Sequence, residues 1–240
     1  MKNVILCGYN LIGCEVLSKL ITQNYNIFVY THKSPYYIPD LISYCDKLNI
    51  PFTTDKICLE NLPFKPDIIC SIYYRYVISN EVIEYCNKRI FNLHPSILPS
   101  YRGCSSITWA IINGEEFTGF TYHYVDSGID TGSIIIQKKI KIQSFDSQVS
   151  LYNKLMIEAL KYFNDAFEFV INNKKGINQK EKGNYYPRGV PYKGEISKNW
   201  DKTKIERFIR AMIHPPLPLA KFENKQIESY DLFLKLLDEK

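Results

Sequence analysis

Apolar and polar positions along this chain follow two rhythms, and the switches between them mark off strands and helices. Residues 3–8, NVILCG, are a short apolar run ending in a glycine turn. Apolar side chains at Leu11, Val16, Leu17 and Leu20 follow at the spacing of one helix face. Residues 26–30 read as a second strand, and residues 39–48 as a helix carrying Leu41, Ile42, Tyr44, Cys45 and Leu48. Pro51 precedes a short extended piece, residues 67–72 read as a buried strand, 77–86 as a helix and 90–93 as a strand. Strands alternating with helices predict an α/β fold, with a mainly parallel sheet covered by helices on both faces.

The rhythm changes further on. Residues 119–125 alternate as a strand, and the Ile-rich residues 133–142 alternate as another, so the two are expected to pair as antiparallel additions. Residues 148–172 are the longest helical stretch, with Leu151, Leu155, Ala159, Phe163 and Phe167 recurring at about every fourth position. The polar run 172–184, NNKKGINQKEKGN, is the candidate linker. The expected organisation is a domain of residues 1–178 followed by a small β-containing unit of residues 179–240, rich in Tyr, Pro and Arg.

With 240 residues and 45% hydrophobic content, the chain can bury a substantial core. No apolar stretch has the length of a membrane helix and no signal-peptide pattern opens the sequence, so a cytoplasmic location is expected, with no membrane partner. The seven cysteines are scattered without a C-x-x-C pair and are expected to be reduced, with no metal site. The net charge of +5 is spread along the chain, which suits a phosphate-bearing small molecule better than nucleic acid. The 19 tyrosines offer flat faces for ring-shaped ligands, although biased amino-acid usage explains them equally well. Gly8 and Gly13 are spaced G-x-x-x-x-G, which is not a dinucleotide fingerprint, and are read as permitting a tight strand-to-helix turn.

The chemistry concentrates in residues 91–132. Asn92 and His94 stand two apart at the end of an apolar strand, so their side chains leave the same face. Pro95 and Pro99 bracket the turn that ends the strand, placing the pair at the carboxyl edge of the sheet, where open α/β folds bind ligands. Asp130 lies in a glycine-bracketed loop able to carry a carboxylate back over that edge. An amide, an imidazole and a carboxylate without a neighbouring serine or cysteine nucleophile suggest direct acyl transfer. Amide and imidazole donors stabilise the oxyanion, and a histidine handles the proton. Each motif alone is more often structural; together they indicate a site.

The ordered run N-x-H-P-S-x-L-P-x-Y-R-G, N-G-E, T-G-x-T and V-D-S-G-I-D-T-G-x-I-I-x-Q, over residues 92–137, resembles the catalytic core of the folate-dependent formyltransferases. The stretches YYPRGVPYKGEISKNW and IERFIRAMIHPPLPLAKF extend the resemblance through residue 222, towards sugar-nucleotide N-formyltransferases. The resemblance implies a Rossmann-like catalytic domain, N10-formyltetrahydrofolate as cosubstrate, and Asn92, His94 and Asp130 as catalytic residues. It also implies a pterin site along Ser71, Tyr74, Tyr76, Tyr124, Val125, Asp126 and Asp130.

Residues 179–240 leave no room for the tRNA-binding barrel of methionyl-tRNA formyltransferases. The glycinamide ribonucleotide enzymes lack the R-x-x-P and F-I-R-A segments, and formyltetrahydrofolate hydrolases typically carry an extra regulatory domain ahead of the core. A dTDP-linked amino dideoxy sugar, dTDP-4-amino-4,6-dideoxyglucose first among them, is therefore the expected acceptor, in the making of O-antigen or other lipopolysaccharide. Those other formyl transfers, and hydrolysis of the formyl folate, are the alternatives. Arg75, Arg188 and Arg210 are expected at the diphosphate and Tyr186 and Trp200 at the base, with plain packing roles weighed at even odds for Trp200 and Arg210. Residues 215–222 and 229–237 are expected at a homodimer surface.

Overall fold

The computed structural model describes residues 1–36 and 38–238, in two compact units. The first comprises Met1–His94, Thr121–Gln137 and Ile157–Lys182; the second comprises Pro95–Phe120, Lys138–Met156 and the chain from Gly183 onward. The change from first to second at residues 182 and 183 lies close to the boundary expected at 178, but the second unit also takes in two segments from the middle of the chain.

Strand β1 (Lys2–Gly8), helix α1 (Asn10–Ile21), β2 (Tyr25–Tyr30), α2 (Leu41–Leu48) and β3 (Phe52–Thr53) follow the predicted order. They are continued by β4 (Ile68–Ile72), α3 (Asn80–Tyr85) and β5 (Ile90–His94). Val16, Leu17 and Leu20 of α1 are buried as expected, whereas Leu11 is half exposed. Helix α3 is shorter than its predicted span because Ser79 is extended at its N-cap and Asn87 and Lys88, just beyond its end, are left-handed. A Cβ on Gly13 would lie 3.4 Å from the backbone of Gly8 and 3.1 Å from Leu41, so these two glycines serve close packing of α1 on β1.

Past the short β6 (Arg102–Gly103) and α4 (Ser106–Asn113) come β7 (Phe117–Tyr124) and β8 (Ile134–Lys141). Among the described residues seven strands form one sheet in the order β3-β2-β1-β4-β5-β7-β8, parallel from β3 to β5. Strand β7 runs antiparallel to β5. Tyr124 donates to Ser133 while Ile142 donates to Glu116, so β8 runs antiparallel to β7, as the alternation predicted. The core beside β1, β4 and β5 holds Ile5, Cys7, Tyr30, Ile69, Val82 and Ile90. All seven cysteines are free thiols, with Cys58 and Cys104 half-buried and the others buried.

The long helix predicted over 148–172 is two helices, α5 (Gln148–Lys161) and α6 (Phe163–Ile171), broken at Tyr162. The cause lies in the carbonyl of Ala159, which accepts from Tyr122 Oη at 3.0 Å and from the Tyr162 amide at 3.0 Å. A side chain entering the helical ladder bends it there. The predicted linker is not free chain either: Ile177 exchanges two 2.8 Å backbone hydrogen bonds with Ile134 at the start of β8.

In the second unit β9 (Tyr185–Tyr186) pairs with β6, and α7 (Lys202–Ala211) packs on α4. The hairpin of β10 (Ala220–Phe222) and β11 (Lys225–Ile227) precedes α8 (Tyr230–Asp238). Among the described residues no helix is long and apolar enough to cross a membrane.

Asp146 anchors the start of α5. Its carboxylate, 2% exposed, accepts from Lys154 Nζ at 2.6 Å, from the Gln143 amide at 2.8 Å and from Ser150 Oγ at 3.1 Å. Burial opposes ionisation, but these donors outweigh it and hold the carboxyl below the ordinary aspartate range. A depressed folded value stabilises the fold above the unfolded pKa, and that contribution is lost as pH falls through the folded value. Asp146→Ala is expected to lower stability by about 2–4 kcal/mol at pH 7 and to flatten the acid limb of the profile, as read by thermal melts from pH 7 down to 3.

Candidate active site

The carboxyl end of β5 carries the pair on which the site is built. Period-two alternation sends Asn92 and His94 to one face, and the antiparallel register sets Asn92 opposite His123 of β7. The parallel register on the other side sets Ser71 of β4 beside Asn92. Three strands thus deliver a row of polar side chains where apolar ones would pack. Ser71, His94 and His123 are all buried.

Asp130 comes from the loop between β7 and β8. Its backbone is left-handed, with φ of 55°, a conformation that aspartate tolerates better than most residues. The loop around it is braced on each side. Asp126 Oδ1 accepts from the Gly128 amide at 3.1 Å and from Thr131 Oγ1 at 2.6 Å. Gln179 Nε2 donates to the carbonyls of Asp130 and Gly132 at 2.9 and 2.8 Å. A Cβ on Gly132 would fall 1.8 Å from the Tyr124 carbonyl oxygen, so the loop leaves β7 along a path only glycine permits.

Held there, the carboxylate faces two imidazoles. Asp130 Oδ2 lies 3.4 Å from His94 Nδ1, and Oδ1 lies 3.4 Å from His123 Nε2. Asn92 Nδ2 is 3.2 Å from the same His123 nitrogen, and Asn92 Oδ1 accepts from Ser71 Oγ at 3.0 Å. The three residues singled out from the sequence therefore meet, linked through His123, a fourth that sequence reasoning missed. Its signal was present: Thr121 and His123 share the phase of β7 opposite Phe120 and Tyr122, and both are buried. A buried polar phase in a strand next to Asn92 and His94 marks the site's second wall.

Carboxamide and imidazole donors beside a carboxylate suit oxyanion stabilisation coupled to proton transfer. Among the described residues no group of three or more His, Cys, Asp or Glu is arranged to hold a metal ion.

The residues expected along the pterin lie in the same unit, several with their polar atoms engaged. Ser71 bonds Asn92, Tyr74 Oη accepts from the Ile57 amide at 3.0 Å, and Tyr124 Oη donates to the Lys174 carbonyl. The Tyr76 ring lies edge-on to Tyr74 and to His32, and the Arg75 guanidinium lies 5.4 Å from its centre. The Val125 amide donates to the Ile90 carbonyl, and the Asp126 carboxylate braces the loop.

Residues expected at the nucleotide, other than Arg75, belong to the second unit. Tyr186 is stacked on Tyr101 and on Trp109, with ring centres 5.5 and 4.7 Å away. Trp200 is packed edge-on to Tyr192 and Phe208, with Lys204 Nζ 4.5 Å from its ring centre. Arg210 bonds the Glu206 carboxylate and the Asp146 carbonyl, tying α7 to the start of α5. That is the packing role weighed for it, and Trp200 has the surroundings of a small core. Arg188 is exposed.

Known proteins resemble this chain over most of its length. Residues 16–166 match the formyl transferase family model. The chain is 35% identical over 98% of its length to a GDP-perosamine N-formyltransferase of Brucella melitensis, covering 95% of that protein. Its fold superposes with a TM-score of 0.82 on WlaRD, a sugar 3N-formyl transferase solved in the presence of dTDP and 5-N-formyl-THF. That match has 26% identity and covers 95% of this chain and 85% of the other. An N-formyltransferase from Helicobacter canadensis, solved with folinic acid and dTDP-3-aminofucose, matches at 0.79 with 25% identity, covering 95% and 87%. The shared motif, the shared fold and the near-equal length together make this chain a member of the formyl transferase family, among its sugar-nucleotide N-formyltransferases.

Proposed function

We propose that the chain moves the formyl group of N10-formyltetrahydrofolate onto the amine of a nucleotide-linked amino dideoxy sugar, with dTDP-4-amino-4,6-dideoxyglucose as the first acceptor to test. The observation that carries this reading is the convergence of Asn92, His94 and Asp130 on one strand end, joined through His123.

In this reading the sugar amine attacks the formyl carbon and the carbonyl electrons move onto oxygen. Asn92 donates an amide hydrogen to that oxygen, and His94, its Nδ1 turned to Asp130, carries the proton from the attacking nitrogen to the departing one. Asp130 favours the protonated ring that forms midway. Arg75 and Arg188 are assigned to the diphosphate. The guanidinium of Arg210 is engaged and the ring of Trp200 packed, and Tyr186 already stacks on Tyr101 and Trp109, so the arginines at 75 and 188 are the first to test. Residues 1–178 are assigned to catalysis and residues 179–240 to the nucleotide sugar. Cytoplasmic location, a homodimer and a role in surface polysaccharide belong to the same reading, and exposed Leu217, Leu234 and Leu237 support the dimer.

A second acceptor, a GDP-linked amino sugar, is favoured by the 35% identity to the GDP-perosamine enzyme. A mass-spectrometric screen of dTDP- and GDP-linked amino sugars with formyltetrahydrofolate is expected to show the added formyl mass on one of them. Release of tetrahydrofolate at the same rate with no acceptor present would identify a hydrolase instead.

A further inference from the structure

We propose that Ser71 and His123 are positioning residues which hold the Asn92 carboxamide with its nitrogen, and not its oxygen, turned to the reacting carbonyl. The reaction is that of the reading above; the orientation stands on hydrogen-bond chemistry alone.

The two ends of a carboxamide have nearly the same shape and opposite chemistry. Turned one way, Asn92 gives the developing oxyanion a donor; turned the other, it presents a lone pair that repels it. Nothing in the position of Asn92 on β5 makes this choice. The carbonyl of Tyr124 makes it. His123 Nδ1 lies 2.7 Å from that oxygen, and a carbonyl can only accept, so Nδ1 carries the hydrogen. With that hydrogen on Nδ1, the neutral ring offers Nε2 as an acceptor; of the two groups beside it, Asn92 at 3.2 Å and Asp130 Oδ1 at 3.4 Å, only the carboxamide nitrogen has a hydrogen to give to the ring, the carboxylate being an acceptor itself.

Ser71 closes the arrangement from the opposite strand. Its hydroxyl can rotate to donate, and it does so to Asn92 Oδ1 at 3.0 Å. One hydrogen on Nδ2 is used by His123; the second has no acceptor among the described residues and is the one available to a substrate oxygen. The clamp is rigid because Ser71, Asn92 and His123 are direct register neighbours across β4, β5 and β7. Ser71 is 6% and His123 2% exposed, so bulk water does not compete for either bond.

The role separates cleanly from the pterin contact expected of Ser71. Thr and Val at position 71 have the same shape and differ in the hydroxyl. Ser71→Thr is expected to keep kcat within about threefold of the parent, and Ser71→Val to lower it about ten- to a hundredfold. The clamp is read from the kcat difference between the two variants, a rise in the Kd for 5-formyltetrahydrofolate reporting the separate pterin contact. Equal kcat in the two variants, or a loss in Ser71→Val that appears in the folate Kd and not in kcat, would overturn the assignment.

A second readout needs no acceptor. In the full chain labelled with 15N-asparagine, the Asn92 side-chain amide pair is identified by its disappearance in Asn92→Gln. It is expected to shift in Ser71→Val and in His123→Phe but not in Ser71→Thr. Unmoved resonances in Ser71→Val refute the clamp even if the parent enzyme formylates none of the sugars tried, whereas a shift supports it whichever acceptor proves correct.

Discussion

Replacing His94 by asparagine is expected to lower kcat for formyl transfer by about a hundred- to ten-thousandfold while the chain stays folded. The size of the effect follows from two duties resting on one ring. His94 is 4% exposed at the end of β5, and its Nδ1 faces Asp130 Oδ2 at 3.4 Å, so an imidazolium formed during the reaction is stabilised where it stands. Asparagine keeps a donor but cannot take a proton, so any residual rate measures oxyanion stabilisation without proton transfer. Formyl transfer followed by mass spectrometry, beside a thermal melt, checks both halves of the expectation. Wild-type turnover in this variant would remove His94 from the chemistry.

Asp130→Asn is expected to lower kcat by about a hundredfold or more, with little change in melting temperature. The substitution preserves shape, and asparagine accepts the left-handed backbone at position 130 as readily as aspartate. What it removes is the negative charge lying 3.4 Å from both His94 and His123. The bracing by Asp126 and Gln179 involves only the backbone and neighbours of Asp130, so the loop has no reason to move. A kinetic loss accompanied by a large fall in melting temperature would instead make Asp130 a structural residue.

Much of this was legible in one dimension because the responsible forces are local. The 2 and 3.6 periodicities of β1 to β5 and of α1 and α2 were recovered, since each strand or helix face must be apolar where it meets the core. The motif string over residues 92–137 was legible because rigid prolines and close-packed glycines permit few substitutes, as Gly132 against the Tyr124 carbonyl illustrates. The errors were non-local. The break at Tyr162 depends on Tyr122, distant in sequence, reaching the Ala159 carbonyl. Polar composition made residues 172–184 look like a linker, but Ile177 pairs with Ile134 and Gln179 supports the Asp130 loop.

Sequence alone determined the fold class, the order of elements and three of the side chains that meet at the end of β5. Only the tertiary structure decided that His123 joins them, that Ser71 bonds Asn92, and that Arg210 is drawn into a structural bond network. Periodicity states which face a residue takes, because that is fixed by its own backbone. Which groups then stand within hydrogen-bond reach depends on strand register, set by the packing of residues far apart in the chain.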